Sequence, residues 1–157
     1  MFKIPKEYSV MISIALAVIF FAVCIVGVFV MPALSEMLIN TKDNIGFRDE
    51  ITQAGRAFVL VLAYLILATV ISADCMLFIL LLRVRKGLVF TEKSTALVRG
   101  ISWCCVLLGV IFCALGIYFQ LAFILAFAAA FLGICLRVVK NVLEEATEIK
   151  SENDLTI

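Results

Sequence analysis

GISWCCVLLGVIFCALGIYFQLAFILAFAAAFLGICL, Gly100–Leu136, contains no charged residue. As one helix it would be about 54 Å long, against a bilayer hydrocarbon core about 30 Å thick. A single span does not fit that thickness. The stretch reads as two spans folded back on each other as a hairpin. The turn is expected near Gly116–Gln120, where a glycine and a polar residue fall at a suitable depth.

Two more uncharged stretches lie upstream. Tyr8–Ser35 is bounded by Glu7 and Glu36, and Ala57–Leu82 is interrupted only by Asp74. Together they predict an all-α polytopic membrane protein, one domain over residues 1–157, with four transmembrane helices in a bundle. The expected spans are about 9–31, 57–82, 101–118 and 121–138, with an outer loop at 32–56, a loop at 83–99 and a tail at 140–157. Composition agrees: 65% of residues are hydrophobic, 16% are charged, and mean hydropathy is +1.20. A soluble domain is about half apolar and about a quarter charged. The first span has a basic start, Lys3 and Lys6, but its apolar run is long for a signal core and Val30-Met31-Pro32-Ala33 is a poor cleavage site. A retained anchor is expected.

Lys and Arg collect on the cytoplasmic flanks of membrane spans. With four spans, the side holding both termini and the middle loop carries Lys3, Lys6, Arg83, Arg85, Lys86, Lys93, Arg99, Arg137, Lys140 and Lys150. The other side carries Lys42, Arg48 and Arg56. Ten against three places both termini in the cytoplasm, in an inner (cytoplasmic) membrane. The net charge of +1 is no signal for a polyanion, and no direct nucleic-acid binding is expected.

No catalytic, cofactor or metal constellation is legible. The six cysteines all fall inside spans, none forms a CxxC pair, and there is no histidine. They read as small, soft packing residues. In lipid, small residues let helices approach closely. Ala122, Ala126 and Ala130 recur at every fourth position in the last span, and Cys105, Gly109 and Cys113 do so in the third. These stripes suit packing within the hairpin or, alternatively, a homo-oligomer interface. Trp103, Tyr8 and Tyr118 stand at interfacial depths.

Asp74 is the one charge within a span. An aspartate near the bilayer centre costs on the order of 3 kcal/mol. Such a residue marks an ion or proton pathway, or is tolerated through hydrogen bonds from hydroxyls such as Ser72 and Thr69.

Two segments of opposite sign share the expected cytoplasmic face. The loop RVRKGLVFTEKSTALVRG holds Arg83, Arg85, Lys86, Lys93 and Arg99. Gly87 is expected to end the outgoing helix, with Thr91 capping the next and Glu92 in its first turn. The tail KNVLEEATEIKSENDLTI carries Glu144, Glu145, Glu148, Glu152 and Asp154. Val138, Val142, Leu143, Ala146 and Ile149 fall at helical spacing, so the fourth helix should continue with one apolar stripe. Anionic lipid, or a cytoplasmic protein, is the partner such a face suits.

GLVFTEKSTALVRGISW and the closing SENDLTI, Ser151–Ile157, resemble the loop and acidic ending of a family of small bacterial four-span membrane proteins, domain of unknown function 2975. The resemblance covers essentially the whole chain. It implies no activity. Family members are often encoded beside a helix-turn-helix regulator, which implies a non-enzymatic membrane protein that binds or restrains such a regulator. The alternative is a small transporter, channel or immunity-type protein using Asp74. A membrane enzyme would need arginines inside the bundle or a CxxC pair, and the chain has neither.

Overall fold

The computed structural model describes residues 6–40 and 52–154. They form four α-helices: α1 (Lys6–Asn40), α2 (Gln53–Arg85), α3 (Glu92–Gly116) and α4 (Ala122–Asp154). Each is long and apolar enough to cross a membrane. Lys3, Lys42, Arg48 and the final Leu155-Thr156-Ile157 lie outside the described residues.

α1 and α2 contain their expected spans and extend past both ends. α3 starts earlier than expected but ends at Gly116, two residues short of the expected 118, and α4 starts at Ala122, one residue late, and runs well past 138. α1 continues through Pro32, where the sequence reading stopped at Met31. A proline lacks the N–H that would bond the carbonyl four residues back, here Val28. The Tyr64 hydroxyl of α2 donates to that orphaned carbonyl at 3.3 Å. A neighbouring helix thus supplies the hydrogen bond the proline removes, and α1 runs on to Asn40.

Each helix packs against its neighbours in the chain. Among the described residues α1 touches α2, α2 touches α3 and α3 touches α4, with no other helix pairs in contact. The bundle is therefore an open row with α1 and α4 at its edges. Its packing surfaces combine small and polar residues with a few aliphatic ones, Val59, Leu62, Leu67, Val98 and Ile111, and its outer faces are bulky and apolar. Ala17, Cys24, Thr69, Ser94, Ser102, Ala122 and Ala126 are buried, while Phe29 is 80% and Phe127 76% exposed. Such a surface belongs against acyl chains.

The α3–α4 hairpin is the closest contact. A Cβ on Gly109 would lie 3.3 Å from the Ala126 carbonyl oxygen and 3.5 Å from the Ala130 Cβ. A Cβ on Gly133 would lie 3.0 Å from Val106 Cγ2 and 3.3 Å from the Ser102 carbonyl oxygen. The Ser102 hydroxyl donates to the Gly133 carbonyl at 2.8 Å, tying the helices together. Cys105 borders this seam, but Cys113 is exposed and does not belong to it. Steps of four residues drift by about 40° per step on a 3.6-residue helix, so the third member of the expected stripe turns outward. Gly116 occupies the seam at that level, where a Cβ would meet the Phe123 ring at 2.9 Å. Within the turn, Tyr118 packs toward α2, its ring centroid 5.9 Å from that of Phe58.

The α2–α3 connection follows the expected signals. Gly87 has φ +73°, open to glycine without strain. Leu88 N–H donates to the Arg83 carbonyl and Gly87 N–H to that of Val84, both at 3.0 Å, closing α2 as a Schellman motif. Thr91 caps α3 by accepting from Ser94 N–H at 3.4 Å. The Ser94 hydroxyl, fully buried, reaches back to the Leu88 carbonyl at 2.8 Å and to Thr91 Oγ1 at 2.9 Å.

Candidate functional site

Two regions carry chemistry beyond packing. The first centres on Asp74, about two thirds of the way along α2 and 5% exposed. It borders two apolar grooves. One, of about 350 Å³, runs between α1 and α2 and is lined by Ala17, Phe21, Cys75 and Phe78. The other, of about 590 Å³, opens over α2 between α1 and α3, lined by Leu16, Phe20, Val70, Leu77 and Leu108. The hydroxyls expected to satisfy the carboxylate are engaged elsewhere. Thr69 donates to the Leu65 carbonyl at 2.8 Å and Ser72 to that of Ala68 at 2.9 Å, each within its own helix. Side-chain hydroxyls in helices commonly take the carbonyl four residues back, and this arrangement leaves none for Asp74. Asp74 takes part in no side-chain hydrogen bond among the described residues, and no fully buried side-chain oxygen there lacks a partner, so its carboxylate oxygens open onto the grooves.

The second region lies at the end of the bundle that holds the α2–α3 loop. Arg99, on the first turns of α3, reaches Glu144 of α4 at 3.1 Å. Lys140, one turn earlier on α4, pairs with the same carboxylate. Glu144 lies beyond the uncharged stretch, and the hydrogen bond from Lys140, aided by the charges of Lys140 and Arg99, holds its carboxyl below the ordinary glutamate range. This is the one ion pair between loop and tail residues among those described. Arg85, Lys86 and Lys93 of the loop are exposed, and so are Glu145, Glu148 and Glu152 of the tail. Arg83 donates to the Thr91 hydroxyl at 3.4 Å. The Asp154 side chain lies outside the described residues, although its backbone closes α4.

The tail is helical as expected, and its partly shielded face matches the expected stripe in part. Leu143 and Ala146 are half-buried together with Lys140, Glu144 and Thr147, while Val138, Val142 and Ile149 are exposed. The Arg99–Glu144 and Lys140–Glu144 pairs lie on this same face, beside Leu143 and Ala146.

Two arrangements here escape a reading by span and charge. Arg137 stacks over Trp103, with Cζ 4.8 Å from the ring centroid. Arg99, Ser102, Trp103, Arg137, Lys140 and Asn141 together line a cleft of about 200 Å³ between α3 and α4. Arg99 and Arg137 flank the uncharged hairpin in sequence, which is the available hint that they meet in space. Among the described residues no three Cys, Asp or Glu side chains converge as a metal site.

Four apolar, membrane-length helices, each packed against its neighbour in the chain, define a multi-pass integral membrane protein. The chain belongs to the family described as protein of unknown function DUF2975, whose sequence model matches residues 46–157. The match takes in α2, α3 and α4 and leaves α1 outside, so it covers less of the chain than the resemblance read from the sequence. Neither the curated proteins nor the solved structures contain a match.

Proposed function

We propose that the chain is a non-enzymatic regulatory or interaction protein of the inner membrane. Both termini and the α2–α3 loop face the cytoplasm in this reading, supported by the ten-to-three distribution of Lys and Arg. It engages a cytoplasmic partner, such as a helix-turn-helix regulator, through the basic loop and the acidic end of α4. The observation that carries the reading is how little these two surfaces neutralise each other. They join at Arg99–Glu144, leaving Arg85, Lys86 and Lys93 exposed beside Glu145 and Glu148. A helix held in place and bearing exposed charge is preorganised for docking, since little ordering remains to be done on binding.

Capture of the full chain from membranes, next to a chain ending at Lys140, tests this. The full chain should recover a cytoplasmic helix-turn-helix protein that the shortened chain loses. Equal recovery by both removes the acidic helix as the docking element.

A second reading rests on Asp74. A carboxylate that is buried, lacks a hydrogen-bond donor and borders two apolar grooves suits a small transporter, channel or immunity-type protein. Flux or resistance assays on Asp74→Asn separate it from the first reading, and an unchanged phenotype removes its support.

A further inference from the structure

We propose that the cleft between the start of α3 and the later part of α4 binds the phosphate-bearing headgroup of an anionic membrane lipid. Three cations, Arg99, Arg137 and Lys140, converge on it together with the Asn141 side chain. A single carboxylate, Glu144, answers them, and it is engaged by Arg99 and Lys140. Arg137 makes no ion pair with a carboxylate among the described residues, and its guanidinium is held in place by the Trp103 ring. An arginine fixed by stacking presents a planar fork of donors whose geometry matches phosphate oxygens.

The size and position of the cleft select the ligand. At about 200 Å³ it takes a phosphate and its first substituents. Pockets for larger organic ligands begin at about 300 Å³. Arg99 and Arg137 bound the uncharged hairpin, so the cleft lies where the hydrocarbon core gives way to headgroups. Trp103 is 58% exposed at its edge, as an interfacial belt residue would be. From there Leu107 on α3 and Ile134 on α4, both exposed, continue along the hairpin as a surface for acyl chains. A free phosphate ion would use the same donors and none of this apolar surface.

The test uses the full chain, purified in detergent and mixed with phosphatidylglycerol or phosphatidylcholine, with bound lipid counted by native mass spectrometry. The wild type should retain phosphatidylglycerol over phosphatidylcholine. Basic side chains near a membrane surface contribute about 1 kcal/mol each, so Arg137→Gln should lower that preference about fivefold and Arg137→Gln/Lys140→Gln about 25-fold. Arg137→Lys, which keeps the charge without the planar fork, should fall between wild type and Arg137→Gln, and serves if the double variant loses its helicity. Lys150→Gln, a cation on the same helix outside the cleft, should leave the preference unchanged. Equal retention of the two lipids by wild type overturns the proposal, as does an equal loss in Lys150→Gln. Displacement of phosphatidylglycerol by an equimolar amount of inorganic phosphate would assign the cleft to the soluble ion and overturn the lipid assignment.

Discussion

The two halves of the row are built by different rules. α3 and α4 meet along glycines and alanines, with a buried serine bonded across the seam at 2.8 Å. α1 and α2 meet through bulkier side chains, and a Cβ on Gly27 would find only ordinary contact, 3.6 Å from Leu67 Cδ1. The half without close backbone approach is also the half that tolerates a buried carboxylate and two grooves. Close packing at Gly109 and Gly133 leaves no room for a ligand inside the seam, and the α3–α4 cleft opens only at its end beside Trp103 and Arg137. Room within the α1–α2 half forfeits packing energy. The hairpin therefore reads as the structural unit and the α1–α2 pair as the adaptable one. The family match follows this division in part, because it includes the hairpin and leaves out α1.

Substitutions at equivalent residue types in the two halves should break this contrast if it is wrong. Gly133→Leu should have the largest effect, a loss of about 2–4 kcal/mol from overpacking and from separating Ser102 from its acceptor. Gly27→Ala should be neutral or mildly stabilising, by up to about 1 kcal/mol, because alanine is the better helix former and the site has space. Equal losses for both in steric-trapping unfolding would erase the distinction.

Asp74→Leu should act in the opposite direction to Gly133→Leu. Replacing a buried carboxylate without a hydrogen-bond donor by an apolar side chain should stabilise the protein by about 2–3 kcal/mol. A loss of stability would mean that the carboxylate is engaged in the membrane by a partner other than the helices themselves.

The interhelical hydrogen bonds should sharpen the comparison on a smaller scale. Ser102→Ala removes a buried bond in the hairpin and Tyr64→Phe one to the Val28 carbonyl in the α1–α2 pair. Bonds of this kind contribute about 0.6 kcal/mol on average and up to about 1.7. Ser102→Ala should lie toward the upper end, since its donor and acceptor are closer and more buried. Tyr64→Phe should cost less in stability and raise hydrogen exchange around Val28–Pro32.

The smallest effect concerns Glu144. Its carboxyl is held low in the folded protein, so its ties to Lys140 and Arg99 add stability above the ordinary glutamate range and lose it as pH falls through the lowered midpoint. Carboxyl NMR titration of Glu144 should show this midpoint, and Lys140→Gln should raise it more than Arg99→Gln.

Most of the architecture was legible because hydropathy and charge report on a solvent with sharp edges. The four spans, the Gly87 stop, the Thr91 cap and the hairpin turn each follow from one local signal. What escaped depends on where two helices meet. The passage of α1 through Pro32 needs Tyr64, thirty-two positions away in sequence. The outward turn of Cys113 comes from helical drift against a partner surface, and the ion pairs at Glu144 join residues from two different helices. Asp74 was visible as a charge in a span, but the commitment of Thr69 and Ser72 to their own helix was not.

The central claim is that the α2–α3 loop and the extension of α4 share the cytoplasmic face, opposite the start of α2. Cysteines introduced one at a time by Lys86→Cys, Ser151→Cys and Gln53→Cys into a chain whose six native cysteines are replaced by alanine, each treated with a membrane-impermeant thiol reagent on intact cells, test it most directly. Lys86→Cys and Ser151→Cys should stay unlabelled until the membrane is opened, and Gln53→Cys should label at once. Labelling of Lys86→Cys and Ser151→Cys from opposite sides, or of both from outside, would contradict the account.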